Sequence, residues 1–160
     1  MKRKNFVLAI MLVLVVLMTT LTGCGSNNAE SSIAVSLVLG NHEYFPKINL
    51  RAESVYQKIY DAAYSYGDCS IVVVDGNPYV AASYNITKPE ANIDNTKRKQ
   101  IAKQNSEQII ADGSNAHAKT SEIDTLSAIV ASSALLKSSS AELKEMLVYD
   151  SGFSTTGLLD

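Results

Sequence analysis

Residues Ser32-Ile33-Ala34-Val35-Ser36-Leu37-Val38-Leu39 form a run of strand length that carries no charge. A strand with one wet face alternates apolar and polar residues. A run that does not alternate needs cover on both faces. This excludes a sheet open to water on one side and calls for helices above and below it. Ile71-Val72-Val73-Val74 repeats the pattern and predicts a second central strand.

The segments between these runs supply the cover. From Arg51 to Tyr66, the residues Val55, Ile59, Ala62, Ala63 and Tyr66 share one stripe at helical spacing, and Gly67 is expected to supply the stop. Asp75-Gly76-Asn77-Pro78 is dense in turn formers. Tyr79 to Ile86 then returns as a third strand, and the short loop makes the pair an antiparallel hairpin. Thr96 is the expected cap of a helix from Lys97 to Ala111, ended by Gly113. Ser121 and Asp124 have capping-box spacing before a helix whose apolar residues are Ile123, Leu126, Ile129, Val130, Ala134 and Leu136. Glu145 to Tyr149 reads as a fourth strand. The expected fold is α/β: a three-layer sandwich over residues 33–160, with a mostly parallel sheet and an antiparallel edge hairpin.

Charge narrows the partners. The chain has 160 residues, with 14 Lys and Arg against 16 Asp and Glu, a formal charge of −2. No large positive field is available for nucleic acid. Two cysteines exclude a disulfide-dense scaffold and a Cys-only zinc site.

The first residues carry Lys2, Arg3 and Lys4, and Phe6 to Met18 is then almost wholly apolar. Some 13 apolar residues are short for a helix crossing a core of roughly 30 Å. This is the layout of a secretory signal. The following Leu21-Thr22-Gly23-Cys24 resembles the bacterial lipobox. The resemblance implies that residues 1–23 are removed, that Cys24 is acylated, and that residues 24–32 form a tether. It implies an extracytoplasmic protein held by lipid to the cell membrane or the outer membrane. Losing Lys2, Arg3 and Lys4 leaves 11 cationic residues against 16 acidic ones, a formal charge of −5. That balance favours attachment by the lipid over attachment by basic contacts. Cys69, at the head of an apolar run, is expected to be a buried thiol.

In sheets of this kind, ligands sit beyond the carboxyl ends of the strands. Those ends are Gly40-Asn41-His42-Glu43, Asp75-Gly76 and Asp150-Ser151-Gly152. The candidate binding rim is Asn41, His42, Ser151, Ser154 and Thr155. His42 beside Glu43 has the chemistry of a base or a ligand, but no pattern places a partner within its reach, and a surface histidine is expected. His117 carries no signal in its surroundings.

The order of elements, with Leu147-Val148-Tyr149-Asp150-Ser151-Gly152 as its fourth strand and loop, resembles a von Willebrand factor A domain from residue 33 to about 157. Many members of that family bind Mg²⁺ through Asp-x-Ser-x-Ser after strand one, a Thr from a middle loop and an Asp after strand four. Here Gly40-Asn41-His42-Glu43-Tyr44 replaces the first motif. The Thr position falls near Ile123 or Asp124, and only Asp150 matches. Asp124 and Asp150, with Asn41, are the candidate oxygen donors for Mg²⁺ or Ca²⁺; otherwise Asp124 is a cap, Asp150 shapes a loop, and no cofactor is expected. The family continues beyond a fourth strand, so residues 1–160 are expected to be the front part of a longer product, or the product of an early stop.

The function expected from these readings is a non-catalytic interaction module that recruits a protein partner in the envelope. A metal-dependent adhesion module using Asp150 is one alternative. An envelope hydrolase using His42 and a rim Ser is another. Native protein from the detergent-soluble membrane fraction should have the mass of residues 24–160 plus acyl chains if this chain is the whole product, and Cys24→Ser should remove the acyl increment. An unacylated native protein refutes the anchor, and a much larger mass identifies a longer lipoprotein.

Overall fold

The structure is a computed structural model that describes residues 31–43, 46–89, 93–150 and 155. Contacts divide the chain after residue 30, and the unit described is Ser31–Asp160. Its elements run β1 (Ile33–Leu39), α1 (Glu53–Tyr64), β2 (Asp68–Val73), β3 (Tyr79–Asn85), α2 (Asn95–Asn115), α3 (Thr125–Ser138) and β4 (Leu143–Tyr149). The expected β-α-β-β-α-α-β order is the one observed.

β1 is central. It pairs in parallel with β2 on one side, Leu37 opposite Ile71, and with β4 on the other, Leu37 opposite Leu147. β3 is antiparallel to β2, with a register irregularity at Ile71/Val72. The sheet order is β3-β2-β1-β4. The chain is therefore an α/β sandwich on a mixed four-stranded sheet.

The pleat sends alternate residues of the uncharged runs to opposite layers. Val35, Leu37, Leu39, Cys69, Ile71 and Val73 pack in one cluster with Val55 and Ile59 of α1 and Ile109 and Ile110 of α2. Val38, Val72 and Val74 pack on the other face with Ala128 of α3. Ser36 belongs to this second face. Its Oγ accepts hydrogen bonds from Ser70 Oγ at 2.8 Å and Ser132 Oγ at 2.6 Å, all three side chains being buried. The trio satisfies its own polar atoms, so a strand buried on both faces tolerates a serine.

That trio explains why α3 presents a different face from the one expected. Its buried residues are Ala128 and Ser132, whereas Val130 is 56% exposed. Small side chains let the helix lie close to the sheet, and proximity decides the face over side-chain size.

Caps and stops also differ from the sequence reading. α2 is capped by Asp94, whose side chain accepts from Lys97 N at 2.8 Å, and not by Thr96. The helix runs through Gly113 to Asn115. α3 is capped by Asp124, one of the two roles expected for it, accepting from Ser127 N at 2.9 Å, while Ser121, the expected capping-box residue, lies outside the helix. In both places a carboxylate takes the cap, where the helix dipole favours negative charge.

α1 ends in a Schellman motif. Gly67 N donates to Ala62 O at 2.9 Å and Tyr66 N to Ala63 O at 3.4 Å. The left-handed residue is Tyr66, at φ 57°, and not Gly67. Gly67 is needed for another reason: a Cβ there would run into the Ile33 carbonyl. Arg98 of α2 holds the motif. Its Nε and Nη2 donate to Tyr64 O at 2.9 and 2.7 Å, and its guanidinium lies 4.0 Å from the Tyr64 ring centroid and 5.0 Å from that of Tyr66.

Cys69 is fully buried, and burial, with a smaller contribution from the Asp68 charge, pushes its thiol up to about 12. Among the described residues, no helix is long and apolar enough to cross a membrane.

Arg98→Ala should lower unfolding stability by about 1.5–3 kcal/mol, read as a lower urea midpoint, since it removes two charge-assisted bonds to one helix-terminal carbonyl. Arg98→Lys should recover only part of this, because a point charge cannot give the paired bonds. An unchanged midpoint in Arg98→Ala would show that the contact carries no stability.

Candidate functional site

The carboxyl ends of β1, β2 and β4 form one rim, closed by backbone bonds from Gly40 N to Tyr149 O at 2.8 Å and from Val74 N to Leu39 O at 2.9 Å. Order β3-β2-β1-β4 places the topological switch at β1 and β4.

On the switch itself, Asp150 and Thr125 meet: the Thr125 hydroxyl donates to the Asp150 carboxylate. Thr125 is one residue beyond the position weighed in the sequence, and the sequence reading passed over it. The signal was available, since a Thr directly behind an Asp cap opens its helix with a hydroxyl at the rim. The Asp150 carboxylate lies against Gly40, where a Cβ would collide with it. Asp124 is buried, and its carboxylate bonds to Ser127 N as the cap of α3.

Gly40 offers no side chain to this end of the rim, and Asp150 lies against it. Among the described residues there is no group of three His, Cys, Asp or Glu side chains able to hold a metal ion. A hard divalent ion takes six or more oxygens, with charge among them.

The second half of the rim is a pocket of about 580 Å³ between the end of β1 and the end of α2. Asn41, His42, Glu43, Lys47, Ser114 and His117 are among the residues that line it. His42 is only 8% exposed, so the expected surface histidine is in fact buried at the pocket wall. His117, silent in the sequence, reaches the same pocket because α2 ends beside β1. Asn41 has a structural task there. Its Nδ2 donates to Gly113 O at 3.2 Å and Ala116 O at 2.9 Å, satisfying carbonyls at the end of α2. Its own carbonyl accepts from Ala118 N at 3.0 Å.

Asp75, read from sequence as a turn residue, organises the loop that carries His117 and Asp124. The side chain is buried at 2% exposure. Its carboxylate accepts from Gly76 N at 2.9 Å, Lys119 N at 3.0 Å, Thr120 N at 3.2 Å and the Thr120 hydroxyl. Its carbonyl accepts from Asp124 N at 3.1 Å. Burial alone would raise its pKa, but the bonds from the Thr120 hydroxyl and the three amides outweigh burial and hold it below the ordinary value. Tyr79 reinforces the loop: its hydroxyl donates to His117 O at 2.8 Å, and Lys119 Nζ lies 4.0 Å from its ring centroid.

Of the remaining rim residues, Thr155 is tied to the approach to α3. Its N donates to Ile123 O, and its Oγ1 accepts from Ile123 N, both at 2.8 Å. Ser151 and Ser154 lie outside the described residues, as does Cys24.

Asp75→Asn should destabilise the protein by about 1–3 kcal/mol, because one oxygen of a buried acceptor becomes a donor facing donors. A depressed carboxyl stabilises the fold fully above its unfolded pKa of about 4, and this is lost as pH falls through the lower folded value. The wild type should therefore lose stability on acidification below about pH 4, and the variant should lose less; equal acid sensitivity would refute the assignment. No family model, curated protein or solved structure matches the chain.

Proposed function

We propose that the chain is an extracytoplasmic lipoprotein, acylated at Cys24, whose A-domain-like unit is a non-catalytic binding module for a protein partner in the envelope. The observation that carries the binding reading is the pocket of about 580 Å³ at the rim, which sets an ammonium, a carboxylate, a hydroxyl and two imidazoles around one volume. Diverse polar groups converging on a concave site at the carboxyl ends of parallel strands are what recognition of a polar segment requires. The order β3-β2-β1-β4 with an antiparallel β3 supports the A-domain-like reading, as does the Thr125–Asp150 contact.

That contact also favours one second reading, adhesion strengthened by Mg²⁺ or Ca²⁺ through Thr125 and Asp150. The departure at Gly40 stands against it.

A photo-crosslinking residue at exposed Lys47 should give a discrete heavier adduct in intact cells, and one at exposed Ser83 on β3 should not. Equal adducts at both positions, or none at Lys47, refute the binding reading. An adduct lost on chelation, and lost in Asp150→Ala, selects the metal-dependent form.

A further inference from the structure

β4 is an edge strand, and its neighbour in the sheet is β1. Leu143 N donates to Ser32 O at 3.1 Å, and Tyr149 O accepts from Gly40 N at 2.8 Å. The odd-numbered residues of β4 thus turn their backbone groups to β1. Backbone direction alternates along a strand, so Lys144, Met146 and Val148 turn their N–H and C=O groups to the open edge. Such an edge is a template for another strand. Exposed apolar surface gathers in the same place. Leu143 (52%) and Val148 (43%) lie on β4, and Val130 (56%) lies on α3, which packs on the face that carries Met146. Lys137 is the one charged residue of α3. A helix so poor in charge is normally covered on its outer side as well. The opposite edge of the sheet is blunted. On β3, Ala82 pairs with Ile71 and Val80 with Val72, so Ala81 is an extra residue that bulges the strand. β4 has no such irregularity in its pairing with β1.

We infer that β4 is a docking surface for a second copy of this chain, whose own β4 pairs with it antiparallel about a two-fold axis at Met146. What selects a second copy is that the strand complements itself. In this register Met146 faces Met146, Lys144 faces Val148, Glu145 faces Leu147 and Leu143 faces Tyr149 of the other copy. Every outward-turned residue meets an outward-turned residue, which gives about six backbone hydrogen bonds. No charge of the strand faces a like charge, and Glu145 keeps its own partner, Lys58, at 2.8 Å. The two neighbouring registers are worse. One sets Glu145 opposite Glu145, which is repulsive. The other carries Leu143 and Lys144 past the end of the facing strand at Tyr149. Pairing about a two-fold axis closes on itself and consumes both β4 edges. Because the strands run in opposite directions, the two carboxyl rims point to opposite ends of the joined sheet. The dimer would therefore present its two pockets in opposite directions. The inference depends neither on the acyl anchor nor on what the pocket binds.

The test uses the native chain in detergent, with its assembly read by sedimentation equilibrium and native mass spectrometry. A concentration-dependent dimer is expected. A chain still monomeric at about 100 μM has too weak an affinity for a standing assembly and overturns the inference. The register is read by disulfide formation. Lys144→Cys mixed with Val148→Cys should give a mixed disulfide, identified by peptide mass, because facing Cα atoms about 5.5 Å apart are within reach of one. Lys144→Cys alone should not pair through its new thiol, since the two copies of residue 144 stand about 13 Å apart in this register. Val148→Lys sets an ammonium opposite Lys144 of the second copy and should raise the dissociation constant at least tenfold with an unchanged circular dichroism spectrum. Adding Lys144→Glu should restore the dimer. Should Val148→Lys not fold, the disulfide map decides. A dimer with no mixed disulfide, or a folded Val148→Lys that dimerises as before, overturns the inference. So does protection of the Lys144, Met146 and Val148 amides from hydrogen exchange in the diluted monomer, which would show that another segment of the same polypeptide holds the edge.

Discussion

Strand β1 has a parallel neighbour on each side and a hydrophobic layer on each face, and the rest of the molecule is arranged by that enclosure. A parallel neighbour can be reached only by a crossover. The β1–β2 crossover lays α1 on one face. The connection from β3 to β4 is longer and supplies helices to both faces, α2 beside α1 and α3 opposite. The β1–β2 crossover leaves from the carboxyl rim and returns at the opposite end, whereas the β3–β4 connection leaves and returns at the opposite end and reaches the rim between α2 and α3. The opposite end also holds a tight closure, Gly67 against Ile33.

Within that frame, buried polar groups are handled by enclosure and mutual bonding. The Ser36–Ser70–Ser132 trio lets α3 sit close to the sheet without leaving an unpaired hydroxyl. Asp75 does similar work at the rim, where one carboxylate gathers three amides and a hydroxyl, and its carbonyl holds the cap residue of α3. The loop that supplies His117 to the pocket is thus held by a residue that does not line the pocket. Loss of Asp75 would act at the pocket and at the α3 cap together.

The sheet was legible in the sequence because double burial leaves an unmistakable trace: two uncharged runs separated by a helix period, and a hairpin turn too short to cross. The strand limits moved by two or three residues, at Asp68 and Leu143, since strand ends need not be apolar. What was hidden came from three-dimensional proximity. The α3 face was misjudged because side-chain size was taken as the guide to burial, where the serine trio favours a close small-residue contact. Tyr66 in a left-handed conformation is intelligible only with Arg98 beside it. His117 and Thr125 acquire meaning from chain segments 70 or more residues and 25 residues away, respectively, Asn41 in the first case and Asp150 in the second.

The Gly40 position shows how the rim makes room for a carboxylate. Gly40 has no side chain, and the Asp150 carboxylate leans into the space and accepts from Thr125. A carboxylate at residue 40 would set like charges in near contact, at a cost that only a bound cation offsets. With glycine there, the Asp150 carboxylate has room to lie against the backbone and accept from the Thr125 hydroxyl. Further along the rim, the pocket beside α2 sets Lys47, Glu43 and the two histidines around one volume.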